Sequence, residues 1–191
     1  MSFLSNTLLK YVKAKPGELL EISSYFEVKH LSKKQRLITA GELTNHLALI
    51  ESGYMRMYRI EDGKETTVWI GGAGKFITSV SSFINQVPGI WNIEAITECQ
   101  VHVIKRDSHF MLCDRYREWL TFENLLLSKA ISALEYRTYE LLTLKAEDRY
   151  QALFSKHPRL FLDIPARHIA SLLSLSEETL SRLRKNHRDL S

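Results

Sequence analysis

The residues best suited to chemistry lie in one short segment, Asp163-Ile-Pro-Ala-Arg-His-Ile-Ala-Ser-Leu-Leu-Ser-Leu-Ser-Glu-Glu-Thr-Leu-Ser-Arg-Leu-Arg-Lys185. Arg182 is a residue type that donates two parallel hydrogen bonds to a guanine, and Glu178 one that accepts from a cytosine amino group. Thr179 and Ser181 suit phosphate or a thymine methyl, and Arg184, Lys185 and Arg188 offer charge to a phosphate backbone. Glu177, Ser176 and Arg167 complete the candidate set. The chemistry is recognition of base edges and phosphates, not bond making.

Such side chains read bases only when two helices hold them at a set angle. Pro165 suits the first turn of a helix, where its missing N–H costs nothing. Ile169, Ala170, Leu172 and Leu173 form that helix's apolar face, and the small Ala170 lets a second helix cross closely. Ser174–Leu175 makes the turn. Ser176 caps the second helix, with Glu177 and Glu178 where the helix dipole favours acids. Leu180 and Leu183 face inward, leaving Thr179, Ser181, Arg182 and Lys185 outside. An ordinary helical hairpin with a solvated charged face has the same spacing, so on this segment alone the two readings stand close to even.

The stretch upstream weighs toward nucleic acid. From Asp114 to Lys145 there is neither Gly nor Pro, and Leu120, Leu127, Leu134 and Leu141 recur every seventh residue. Asn124, Ile131 and Thr138 fill the alternate seam positions, a heptad pattern whose polar Asn fixes register in a two-stranded coiled coil. The competing expectation is a helix lying on the body of the protein; both hold if different faces serve different contacts. A two-fold pairing helix suits a reader of two half-sites.

Farther upstream, from about Tyr25 to Lys105, the chain reads as short strands. Tyr54 to Ile60 and Thr66 to Ile70 flank Asp62–Gly63, the strongest short-range hairpin signal, because a type I′ turn needs positive φ at both central residues. Breaks at Gly41, Gly53, Gly71–Gly72, Gly74 and Pro88–Gly89 point to a sandwich or jelly-roll barrel. Met1 to Lys15 reads as an amphipathic helix packed on the body, without a signal-peptide cleavage pattern.

Composition narrows the classes. The 191 residues are 45% hydrophobic and 25% charged with a net charge of +4, a folded chain suited to an anionic partner. No apolar run is long enough to span a bilayer, so no membrane role is expected. Cys99 and Cys113 stand alone, which favours free thiols in a reducing cytoplasm. An iron–sulfur sensor needs a cysteine cluster, and His102 and His109, seven apart, do not make a jelly-roll metalloenzyme. No metal, cofactor or enzymatic activity is expected, and Cys113 reads as an inert core or rim thiol.

The segment 169–185 closely resembles the helix-turn-helix of the Crp/Fnr regulators, relatives of the cyclic-AMP receptor protein, most specifically in Ser176-Glu-Glu-Thr-Leu-Ser-Arg182. Ile50-Glu-Ser-Gly-Tyr-Met-Arg-Met-Tyr58, Gly63-Lys-Glu-Thr-Thr67 and Asn92-Ile-Glu-Ala-Ile-Thr-Glu98 resemble the family's β-roll. Ala146 to Tyr150 and His157 to Leu160 resemble its connecting stretch. The resemblance implies an α+β chain in three parts: a cyclic-nucleotide-binding-like β-roll or jelly-roll domain over 1–113, a dimerisation helix over 114–145, and a helix-turn-helix domain over 146–191. It implies that Glu177, Glu178 and Arg182 read bases, and that the long helix transmits effector state to the spacing of the readers. Two departures stand out. Ser174 occupies a turn position where the family usually carries Gly, and the wing after the second helix is expected to be missing or very short.

Family members hold cyclic nucleotide through a Gly-Glu pair and an Arg-Ser pair, positions that correspond here to Thr78–Ser79 and Gly89–Ile90. No arginine lies between Arg59 and Arg106, and the dimer-helix polar pair is replaced by Leu134 and Glu135. Cyclic AMP is therefore not expected to bind; Thr78, Ser79 and Trp91 remain as a candidate pocket for an unidentified effector. The expectation is a cytoplasmic homodimer on double-stranded DNA, with RNA polymerase a partner that the resemblance leaves open. The alternative is a cyclic-nucleotide-binding-like regulatory or scaffold module that binds another protein.

Overall fold

The computed structural model describes residues 2–188. Two short helices, α1 (Phe3–Leu8) and α2 (Pro16–Ser24), precede eight strands. These are β1 (Phe26–Leu31), β2 (Arg36–Ile38), β3 (His46–Ser52), β4 (Met55–Glu61), β5 (Lys64–Gly71), β6 (Phe76–Ile77), β7 (Asn92–Ala95) and β8 (Cys99–Lys105), with α3 (Val80–Asn85) between β6 and β7. Then come α4 (Arg106–Arg115), α5 (Arg117–Thr143), α6 (Ala146–Lys156), α7 (Leu160–Asp163), α8 (Ala166–Leu173) and α9 (Glu177–Arg188).

The strands form two four-stranded antiparallel sheets, ordered β1-β8-β3-β6 and β2-β7-β4-β5. Side chains alternate across a strand, so Ala48 and Ile50 point between the sheets while Leu47 and Leu49 point to the other side. Between the sheets they meet Met55, Ile93, Ala95, Val101 and Val103. On the outer side Leu47, Leu49 and Ile104 pack under α1, α2, α4 and α5 through Leu8, Ile22, Leu112, Trp119 and Phe122. Both faces of β3 are buried, hence its unbroken apolar run. The Asp62–Gly63 turn forms as expected, with φ of 50° and 75°.

Two expectations are corrected. The N-terminal helix covers only Phe3–Leu8, and the chain turns before α2, which Pro16 starts. The helix expected from Asp114 is broken at Tyr116, whose φ of −123° and ψ of 112° are extended. Tertiary anchoring accounts for the break. The Tyr116 hydroxyl donates to Glu21 at 2.6 Å, and Arg115 pairs with the other oxygen of that carboxylate at 2.6 Å.

Candidate nucleic-acid interface

The α8–turn–α9 unit is built from local signals. Pro165 takes the N-cap of α8, one position earlier than expected. At the far end Ser174 is left-handed, with φ 56° and ψ 45°. Its N–H donates to the Ser171 carbonyl at 3.1 Å, and the Leu175 N–H donates to the Ala170 carbonyl at 2.9 Å. This is a Schellman closure, with serine in the position glycine usually fills. Ser176 then caps α9 by accepting the Thr179 N–H at 3.1 Å.

Leu180 and Leu183 pack behind α9 against Ile169, Ala170, Leu173, Tyr150 and Phe161. On the other side Ser176, Glu177, Glu178, Ser181, Arg182 and Lys185 are exposed, as is Arg167 on α8. Thr179 is half-buried and its hydroxyl is hydrogen-bonded to that of Ser176 at 2.9 Å, so this pair spends its polar groups on the cap. The expectation for Arg184 is corrected: it donates to the Phe161 carbonyl at 2.9 Å and lies over that ring, holding α9 to its own unit. The side chain of Arg188 lies outside the described residues.

The unit is seated on the second sheet. Tyr54 donates to Asp163 at 2.9 Å, and Ile96, Tyr54 and Ile70 join the apolar cluster of α6–α9. Ser171 accepts the Thr67 N–H at 2.8 Å and donates to the Glu65 carbonyl at 3.2 Å. His168 is buried in this contact. Burial first, then the nearby Arg56 and Arg167, pushes its pKa down to about 4, so it is neutral. Arg56 is 3% exposed and is neutralised by Glu94 and Glu65, each at 2.7 Å. None of this docking was legible in the sequence, because its partners stand about a hundred residues apart.

Helix α5 has two faces. Trp119 and Phe122 are buried, with Leu126 beside them, against the outer core. The seam residues stand elsewhere: Leu120, Asn124, Ile131, Leu134, Thr138 and Leu141 are exposed and Leu127 is half-buried. Ile131 and Leu134 expose 59% and 66% of their surface, an apolar stripe left uncovered in the single chain.

The candidate effector residues are placed as follows. Thr78 and Ser79 are buried at the start of α3; Thr78 donates to the His46 carbonyl at 2.9 Å. Gly89 packs so tightly on Ser79 that an added Cβ would stand 3.0 Å from its Oγ. Trp91 lines a surface depression with Arg59, Glu61, Thr66 and Val68. A further grouping was missed from sequence: His109, Cys113 and Glu123 converge at the α4–α5 junction. The spacing of four between His109 and Cys113 on one helix was the available signal.

Residues 28–116 match the model of the cyclic nucleotide-binding domain family. Among solved structures, FixK2 from Bradyrhizobium japonicum is similar at 19% identity and a TM-score of 0.72, covering 86% of this chain and 85% of that one. The catabolite activator protein of Thermus thermophilus is similar at 21% identity and a TM-score of 0.59, covering 93% and 85%. A protein described as a regulator of the Crp/Fnr family from Eubacterium rectale is similar at 16% identity and a TM-score of 0.72, covering 92% and 84%. No curated protein matches. At these identities the likeness is one of fold: a cyclic-nucleotide-binding-type roll followed by helices, arranged as in Crp-like proteins. No described helix is long and apolar enough to cross a membrane.

Proposed function

We propose that this chain is a homodimeric transcription regulator of the Crp/Fnr type, reading a palindromic site in double-stranded DNA through α9. One observation carries the reading: a polar, arginine-tipped face of α9 stands free while Leu180 and Leu183 seat its other face. Arg182 is the base reader, with Glu177 and Glu178 beside it and Ser181, Lys185 and Arg167 toward phosphates. Ser176 and Thr179 shape the helix start as well as facing the groove. A protein-docking helix would expose apolar residues here instead.

The uncovered stripe of α5 supports pairing of two chains along Leu120, Asn124, Leu127, Ile131, Leu134 and Leu141. The roll is the sensor, and its ligand is not cyclic AMP. Thr78 is engaged with backbone and Arg106 spends its guanidinium on the Phe83 and Ile84 carbonyls at 2.7 and 3.3 Å, so the buried, unpartnered Ser79 hydroxyl has no arginine between Arg59 and Arg106 to share a phosphate with. A buried phosphate needs a guanidinium and free donors.

Selection from a pool of random duplexes tests the reading. Convergence on a palindrome with half-sites about one helical turn apart, bound less tightly as salt rises, is the expected result. A pool that never converges would overturn it.

A further inference from the structure

We propose that His109 and Cys113 of α4 and Glu123 of α5 form a binding site for one zinc-class divalent cation at the base of the long helix. The inference stands whether or not the chain binds DNA.

One potential ligand atom from each of the three residues lies within 4.8 Å of the other two. His109 Nε2 stands 3.2 Å from Glu123 Oε1, Cys113 Sγ stands 3.6 Å from Glu123 Oε2, and Cys113 Sγ stands 3.7 Å from His109 Nε2. Ligand atoms bound to zinc at about 2.0–2.3 Å and at tetrahedral angles lie roughly 3.3–3.6 Å apart. Glu123 meets His109 and Cys113 through different oxygens, so an ion is accepted when the carboxylate turns to bring one oxygen to both Nε2 and Sγ. His109 and Cys113 are four residues apart on one helix, the spacing that brings two side chains to one face.

The surroundings fit a cation only with this ligand set. Phe83, Phe110 and Trp119 wall the imidazole at ring-centre distances of 5.3, 5.2 and 5.7 Å. In so apolar a place a divalent ion must be neutralised by its ligands. One thiolate, one carboxylate and one neutral imidazole do that, and burial keeps His109 in the neutral form. Loading replaces Zn–water bonds of the hydrated ion by Zn–S, Zn–N and Zn–O bonds and releases the displaced waters and the thiol proton to solvent, without redox change. The fourth position is left to water, reached past Glu123, whose side chain is 13% exposed. A bound ion would tie α4 to the second turn of α5 across the break at Tyr116.

The test uses the full chain, stripped with a chelator and titrated with Co²⁺ as a spectroscopic stand-in for zinc. One cobalt per chain, with a sulfur-to-cobalt charge-transfer band and tetrahedral ligand-field bands, is expected. The Cys113→Ser protein, verified as folded by its melting curve, should lose the charge-transfer band. The Cys99→Ser protein should keep it. Zinc should raise the Tm of the unaltered chain. Absence of the band in the unaltered chain, or its persistence in Cys113→Ser, would overturn the site.

Discussion

Thr67 of β5 and Ser171 of α8 share a 2.8 Å hydrogen bond, in which the sheet's buried amide donates to the helix's hydroxyl. The same hydroxyl donates onward to the Glu65 carbonyl at 3.2 Å, so one serine stitches the α8–α9 unit to the roll. Ser171→Ala leaves the Thr67 amide without its partner. We expect a loss of about 1–2 kcal/mol in denaturant unfolding and faster hydrogen exchange at that amide. An unchanged exchange rate would show that the stitch is not formed in solution.

Ser174 holds a left-handed turn at φ 56°. A side chain there costs roughly 1–2 kcal/mol that glycine avoids, offset in part by glycine's greater freedom when unfolded. Ser174→Gly should therefore stabilise the protein by about 0.5–1 kcal/mol, read as a rise in denaturation midpoint. A fall in the midpoint would rule out strain at this turn.

Arg182 is exposed on α9 and is the proposed base reader. Arg182→Ala should weaken binding to a selected site by about 1–3 kcal/mol and relax discrimination at a single base pair. A variant that keeps full discrimination would remove Arg182 from that role.

Leu134 is 66% exposed in the middle of the apolar stripe. In the proposed dimer Leu134→Asp places two like charges in the seam, and sedimentation should show monomers where the unaltered chain gives dimers. A dimer that survives this change would place the interface on another face.

His168 titrates far below its ordinary value of 6.5, at about 4. Well above pH 6.5 it is neutral both folded and unfolded and contributes no pH dependence. As pH falls from 6.5 to about 4 the unfolded chain takes up a proton that the fold refuses, so stability is lost across that window. The full loss is on the order of 3 kcal/mol. In His168→Gln this part of the acid slope should disappear, leaving that of His46, His109 and His157, which burial also lowers.

What the sequence determined by itself is local. The Asp62–Gly63 hairpin, the Ser176 cap and the seven-residue leucine stripe all follow from backbone preference or helical period within a few residues. Tertiary structure alone decided the rest. It broke the long helix at Tyr116 through Glu21, turned Arg184 inward onto Phe161 and set α8 on β5. It also gathered His109, Cys113 and Glu123. These outcomes depend on which distant faces meet when apolar surface is buried, and a helix period shows that a face exists without showing what will cover it.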